Sequence, residues 1–266
     1  MNRFAFSLLG LYLFLAPLAH ADEWSKTYTI TGKPDLRVET SDANLNVDTW
    51  DKNVIDVHVV SNHYKIGNGG ITISDHQTGD SVDIELRYPH HNITINFGNL
   101  NKYKVDVNIH MPREGHVNLH TGDGAILLSN FKGNMELESG DGHEEINSVD
   151  GSLRARTSDG RISANGRFDV LDLHTGDGRV EARALPGSLV RSEWSIRSGD
   201  GSVTLQLPDN FAADVDLRTG DGHISVSMPV TMQGDLREKN IHGKLNGGGN
   251  LLTIRTGDGS IRLDRS

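Results

Sequence analysis

The segment Val117-Asn-Leu-His-Thr-Gly-Asp-Gly-Ala-Ile-Leu-Leu128 decides the fold, because its pattern recurs along the second half of the chain. At its centre is a four-residue motif of Thr or Ser, Gly or Ser, Asp and Gly. The motif occurs at residues 121–124, 139–142, 157–160, 175–178, 198–201, 219–222 and 256–259. The first four copies follow one another every 18 residues. A repeat of this length is typical of a solenoid in which each repeat forms one coil.

Apolar residues occupy fixed positions on both sides of the motif. In the first copy they are Val117, Leu119, Ile126 and Leu128, and the other six copies have apolar residues at the same positions, with Glu144 as the one exception. Residues two apart share a face only on a strand, so each coil should contain one strand before the turn and one after it. Stacking the coils at the inter-strand spacing of about 4.8 Å makes each position a continuous apolar column.

We interpret the motif as the turn, or corner, that joins these two strands. We expect its Asp to accept backbone N–H bonds, its Thr or Ser to do the same more weakly, and its glycines to supply positive φ. A second corner is expected halfway round each coil, as at residues 131–133 and 149–151. Two short strands and two corners account for about 18 residues, which favours a flattened, two-sheeted, parallel β-solenoid.

The repeat divides the chain after residue 21 into two parts, and residues 1–21 form a third. Residues 116–266 form the solenoid, and residues 22–115 form a less regular β-rich region of degenerate coils and hairpins that caps it. The gap of 37 residues between the last two motifs suggests a coil that has lost its motif. The charges interleaved in the final strand, residues 261–266, would discourage pairing at an exposed edge.

Residues 1–21 have the features of a secretory signal peptide. Arg3 precedes an apolar stretch from Phe4 to Leu15, and Ala19-His-Ala21 supplies a cleavage pattern. The apolar run is too short to cross a bilayer, so we expect no transmembrane segment in the mature chain. The periplasm is the expected compartment, with the cell surface or secretion as alternatives.

Composition excludes several classes of protein. The chain has 266 residues and no cysteine, which rules out disulfides, thiolate zinc sites and a cysteine nucleophile. Its net charge of −10, with no basic run, argues against a nucleic-acid partner. An envelope or extracellular ligand, either polysaccharide or protein, is the remaining class of partner, and oligomeric state is left open.

The motif aspartates are the candidate metal ligands. Stacked in register they would place carboxylates about 5 Å apart along one edge, an arrangement that could recruit Ca²⁺. The alternative is that they cap turns without any ion. The seven residues are Asp123, Asp141, Asp159, Asp177, Asp200, Asp221 and Asp258.

Two further features allow a functional and a structural interpretation. The residue before each motif is basic or His in six of seven copies, which suggests either a stripe for an anionic polymer or a column that neutralises the aspartates. Glu144 could be a catalytic acid, but a bulge that turns it outward is the simpler account. No nucleophile-elbow, Walker or zinc-protease motif is present.

The residues Asn44–Asp48, the tract Ile241–Asn250 and the final repeat Thr256–Ile261 resemble the bacterial DUF4097 proteins, which are β-strand-repeat proteins described as candidate adhesins. The resemblance implies an exported β-solenoid with no carried-over site residues. We therefore expect a non-enzymatic structural or adhesin-like binding module of the cell envelope. The alternatives are a calcium-stabilised solenoid and a carbohydrate-active enzyme with a solenoid groove.

Overall fold

The computed structural model describes residues 21–89, 104–232 and 239–266, so all but the last residue of the expected signal peptide lies outside the described chain. Within these ranges the protein is all-β, with 21 strands and no helix, and no segment forms a helix that could cross a membrane. The strands are β1 (Asp22–Thr29), β2 (Asp35–Thr40), β3 (Asn44–Trp50), β4 (Val54–Ser61), β5 (Thr72–Thr78), β6 (Ser81–Arg87), β7 (Val105–Pro112), β8 (Glu114–Thr121), β9 (Ile126–Ser129), β10 (Lys132–Ser139), β11 (Glu144–Thr157), β12 (Ile162–Thr175), β13 (Val180–Ala184), β14 (Trp194–Ser198), β15 (Val203–Leu207), β16 (Ala213–Thr219), β17 (Ile224–Val226), β18 (Val230–Met232), β19 (Asn240–Leu245), β20 (Leu251–Thr256) and β21 (Ile261–Arg265).

The strands form two faces joined at the corners of the coils. The pre-turn face contains the strands that lead into the motif, in the spatial order β5-β6-β2-β8-β10-β11-β12-β14-β20-β16-β19-β18. The post-turn face runs β1-β4-β7-β3-β9-β11-β12-β13-β15-β21-β17. Strands β11 and β12 bend round the second corner and belong to both faces. Pairing is parallel throughout the middle and antiparallel only near the ends.

The core lies between the two faces and consists of the predicted columns. The residues four and two positions before each motif are all buried, from Val117 and Leu119 to Leu252 and Ile254. The largest side chain of these columns is that of Trp194, whose ring packs against Phe168 and Phe211 at centroid distances of 6.3 and 5.0 Å. Burying each large apolar side chain contributes about 1.5–3 kcal/mol, so these ladders supply much of the stability of a chain without disulfides.

The register of the central coils aligns the motifs. Lys132 of β10 pairs with Glu114 on one side and with Asp150 on the other, so equivalent residues of these three strands are 18 positions apart. The stacking also continues into the N-terminal part of the chain. Strands β2 and β3 pair in parallel with β8 and β9, which places Thr40 of the degenerate motif directly beside Thr121.

The last coil is not at the end of the stack. Strand β20 lies between β14 and β16, and β21 lies between β15 and β17. The expectation of a coil that lost its motif is therefore wrong: the gap contains β18 and β19, which pair antiparallel with each other and continue the pre-turn face beyond β16. The expectation that charges in the final strand protect an open edge is also wrong, because β21 has a neighbour on each side.

Candidate functional site

The hydroxyl of the motif, rather than its carboxylate, accepts the hydrogen bond that closes the turn in six of the seven copies, and Ser139 bonds only to the neighbouring coil. Thr157 accepts a hydrogen bond from the N–H of Gly160 at 3.0 Å and donates to the carbonyl oxygens of Gly140 and Gly142 in the preceding coil at 2.7 and 3.2 Å. All seven motif Thr and Ser side chains are buried. The expected order of importance is thus reversed, because the hydroxyl can both donate and accept, and so links one coil to the next.

The motif glycines are required for close stacking. A Cβ built on Gly142 would lie 1.8 Å from the carbonyl oxygen of Gly124, and one on Gly160 would lie 1.9 Å from that of Gly142. None of the motif glycines has positive φ, so that expectation is wrong. Positive φ occurs instead at the second corner, at Gly133 and Gly151, where the sequence predicted a turn.

The seven motif aspartates lie on one edge of the stack with their side chains exposed to solvent. Asp221 forms an ion pair with Lys239 at 2.9 Å, and among the described residues the other six make no ion pair or side-chain hydrogen bond. Reduced hydration of Asp42 and, second, repulsion from Asp123 raise the pKa of Asp42, as expected for neighbouring carboxylates. No three acidic or histidine side chains of the described ranges converge as metal ligands. Calcium binding at this edge stays a prediction.

Glu144 points into the core and is 1 % exposed. It takes its place in the column between Ile126 and Ile162, with both carboxylate oxygens buried and without a hydrogen bond of ordinary geometry. Burial raises its pKa to about 8, against a smaller opposing effect of the backbone amides of Arg156 and Ser139. The outward bulge expected from the sequence is wrong, and a catalytic acid at this position would have no access to a substrate.

The residues that precede the motifs lie on the outer surface of the pre-turn face. Stacking brings five cationic or histidine residues of adjacent strands side by side; this cationic column consists, in spatial order, of Arg156, His174, Arg197, Arg255 and Arg218. Their ion pairs are with carboxylates on the same face: Arg156 with Asp172 at 3.3 Å, and Arg218 and Arg255 with Asp216 at 2.9 and 3.6 Å. The interpretation that they neutralise the motif aspartates is therefore wrong.

Sequence reasoning missed two features of this surface. The first is the adjacency of Arg197, Arg255 and Arg218, because the order of the motifs along the chain would place Arg255 at the far end. The second is Asp216, which is only 9 % exposed and pairs with Arg218, Arg255 and His242. The one local sign of the inserted coil is the turn-forming tract Asn246–Asn250, which allows the chain to reverse before β20.

An open groove of about 450 Å³ lies on the same face, where β12 meets β14. Residues 185–193 connect β13 to β14, and the pairing of β12 with β14 begins at Asp172 and Ser195. Arg154, Arg156, His174 and Arg197 line the groove together with Asp172 and Glu193. A second groove of about 250 Å³, beside Asn118 and Glu136, shares Arg154 and Arg156 with the first.

Comparison with known proteins identifies a family. The Toastrack DUF4097 family model matches residues 31–264. No curated protein sequence matches the chain significantly. Similar crystal structures include a candidate cell adhesion protein from Clostridium sporogenes ATCC 15579, with 14 % identity, a TM-score of 0.42, and coverage of 93 % of this chain and 100 % of that chain. Others are a candidate adhesin from Bacteroides fragilis NCTC 9343, with 12 % identity, a TM-score of 0.47 and coverage of 92 % and 98 %, and a candidate lipid binding protein from Parabacteroides distasonis ATCC 8503, with 15 % identity, a TM-score of 0.42 and coverage of 91 % and 96 %.

Proposed function

Because the chain belongs to the Toastrack DUF4097 family, we propose that it is a non-enzymatic binding module of the bacterial cell envelope, exported by residues 1–21 and built as a parallel β-solenoid with coils of about 18 residues. The proposed compartment is the periplasm or the outer surface of the envelope. The proposed ligand is an extended polymer, which would lie along the outer surface of the sheet.

One observation carries this proposal: outward side chains of equivalent positions form straight columns across the pre-turn face. Adjacent strands are about 4.8 Å apart, so the five residues of the cationic column repeat at a short, regular interval across the face. Columns of this kind suit a repeating ligand better than a compact one, which would need a closed pocket. The two grooves on this face are open to solvent and share Arg154 and Arg156.

The enzyme alternative has little support. Glycoside cleavage needs two carboxyl groups at a defined separation across a groove. In the larger groove, Asp172 is paired with Arg156 at 3.3 Å and Glu193 accepts a hydrogen bond from Thr253 at 3.0 Å, so each carboxylate already has a partner. Glu144, the other carboxyl group considered, is sealed in the core. We therefore assign no catalytic residue.

The proposal is tested by locating the protein and examining its binding together. A C-terminally tagged full chain, expressed in its own host, should be recovered from the envelope fraction in a form shortened at its N-terminus. The purified protein should retain at least one ligand on an array of bacterial glycans and should release no product from any of them. Recovery of an unprocessed chain from the cytoplasm, or turnover of a glycan, would contradict the proposal.

A further inference from the structure

We propose that the cationic column binds an acidic polysaccharide, a chain with one carboxylate on each sugar. The proposal rests on the function proposed above, because it names the ligand class of that binding module. Its basis is the position of Arg197, Arg255 and Arg218 on three adjacent strands, in the register Arg197–Arg255 and Arg255–Arg218. This arrangement arises only because the last coil is inserted into the stack.

Three arginines in register are costly without a ligand. Like charges directly opposite one another on neighbouring strands destabilise a sheet. Asp216 offsets part of this repulsion by pairing with Arg218 at 2.9 Å and Arg255 at 3.6 Å. Arg197 is exposed and makes no ion pair or side-chain hydrogen bond with any described residue, so its guanidinium is available to an external anion. A planar guanidinium binds a carboxylate through two parallel hydrogen bonds, which favours this anion.

The spacing of the column fits a polymer of charged sugars. Its five residues occupy five adjacent strands, so successive side chains of the column are about 4.8 Å apart along the stack. An extended chain with one carboxylate per sugar carries its charges at a comparable interval. Each carboxylate could therefore meet a separate side chain of the cationic column, from Arg156 at one end to Arg218 at the other.

The groups beside the column suit sugar hydroxyls. Two residues earlier in the same strands lie Asp172, Ser195, Thr253 and Asp216, also in register. Ser195 and Thr253 are covered, because the Oγ of Ser195 is buried and Thr253, which is 2 % exposed, donates to Glu193 at 3.0 Å. The accessible groups are the carboxylates of Asp172 and Glu193, which line the groove. Carboxylates accept hydrogen bonds from hydroxyls, so these two groups complement the hydroxyls of a sugar acid whose own carboxylates meet the cationic column.

The same neighbours disfavour other anionic polymers. A DNA backbone has no sugar hydroxyl that could donate to Asp172, which lies next to the arginines on the groove. Single-stranded nucleic acids are usually held by exposed aromatic rings on which bases stack. Phe168 and Trp194, the Phe and Trp residues of these strands, are both fully buried in the core. An acidic glycan has hydroxyls that can donate to Asp172 and needs no aromatic ring for stacking.

The test measures binding of the purified full chain to polygalacturonate by calorimetric titration in calcium-free buffer. Fully methyl-esterified polygalacturonate is the matched uncharged ligand. We expect the protein to bind the acid form only, with an affinity that falls as salt is added. The double variant Arg197→Gln/Arg255→Gln should weaken binding about tenfold or more, because each substitution removes a charge-assisted hydrogen-bond donor.

The control is Arg262→Gln, which removes the same charge from β21 on the post-turn face, where Arg262 is exposed. This variant should bind like the wild type, and thermal melting should show that all variants are folded. Absence of binding to polygalacturonate, or an equal loss in Arg262→Gln, would overturn the inference. Tighter arginine-dependent binding to anionic phospholipid vesicles or to single-stranded DNA would also overturn it.

The failure of this inference can be told from failure of the proposed function. If the protein retains another envelope ligand irrespective of Arg197 and Arg255, the cationic column is not the site but the binding module stands. If it binds polygalacturonate through these arginines yet is recovered from the cytoplasm, the column is the site and the envelope function is wrong.

Discussion

Thr157 illustrates how one hydroxyl holds two coils together. It is buried, accepts a hydrogen bond from the N–H of Gly160 within its own turn and donates to the carbonyl oxygens of Gly140 and Gly142 in the preceding coil. Replacing Thr157 with Val keeps the shape of the side chain but removes the hydroxyl from the Gly160 N–H and the Gly142 carbonyl, whereas the Gly140 carbonyl still accepts from the Ser158 N–H at 2.7 Å. We expect the free energy of unfolding to fall by about 1–3 kcal/mol in urea titrations.

Asp159 of the same turn provides the comparison. It is exposed and makes no side-chain hydrogen bond or ion pair with a described residue, so Asp159→Ala should change the free energy of unfolding by no more than about 0.5 kcal/mol. A larger loss for Asp159→Ala than for Thr157→Val would restore the carboxylate as the closing group of the corner.

Glu144 makes the stability of the protein depend on pH. In the unfolded chain the carboxyl loses its proton near its ordinary pKa of 4.5, whereas the folded protein holds the proton up to about pH 8. The folded state therefore binds more protons in this interval, and the contribution of Glu144 to stability falls as the pH rises from 4.5 to 8. Above pH 8 both states are ionised and the penalty of the buried charge is complete.

Glu144→Ile should remove this dependence and complete the apolar column. At neutral pH the variant should be about 1–3 kcal/mol more stable than the wild type in urea titrations, because no buried polar group is left unpaired. The difference between the two proteins should be larger above pH 8 than below pH 4.5. Glu145→Gln, at the next and outward-facing position, should leave the pH profile unchanged. A wild-type profile that matches that of Glu144→Ile would show that the carboxyl is not buried.

At the level of the structural element, the turn depends on the absence of side chains where coils touch. In Gly142→Ala the new methyl carbon would lie 1.8 Å from the carbonyl oxygen of Gly124, and the rigid backbone of two paired coils cannot move apart locally. We expect a loss of more than about 3 kcal/mol in thermal or urea unfolding, or failure to accumulate as soluble protein.

Gly249→Ala is the matched substitution outside the motif. Its new Cβ would lie 3.4 Å from the carbonyl oxygen of Ala212, an ordinary contact, and Gly249 does not have positive φ. This variant should be soluble and nearly as stable as the wild type. Comparable stability for Gly142→Ala and Gly249→Ala would mean that the motif glycines are not fixed by stacking.

At the level of the whole molecule, short sequence patterns predict the features that residues close together in sequence form by themselves. Alternation around each motif was enough to predict two strands per coil, the buried columns and the second corner at Gly133 and Gly151, because these depend on residues close together in sequence. The position of the last coil depends on which strands β20 and β21 pair with. These partners are distant in sequence, so no short segment specifies them. The alignment of Arg197, Arg255 and Arg218 follows from this pairing and was therefore not predictable.

The inserted coil has a consequence for local stability. Chain ends usually fray, so their amide protons exchange with solvent faster than those of the core. Strand β20 ends ten residues before the C-terminus, yet it is hydrogen-bonded to β14 on one side and β16 on the other, and Leu252 and Ile254 are fully buried. Hydrogen–deuterium exchange should therefore be as slow in β20 as in the segment Leu171–Thr175 of β12, which lies in the middle of the stack. Strand β5, which pairs only with β6 among the described strands, should exchange much faster. If β20 exchanged at the rate of β5, the last coil would be at the end of the stack, and Arg255 would not separate Arg197 from Arg218.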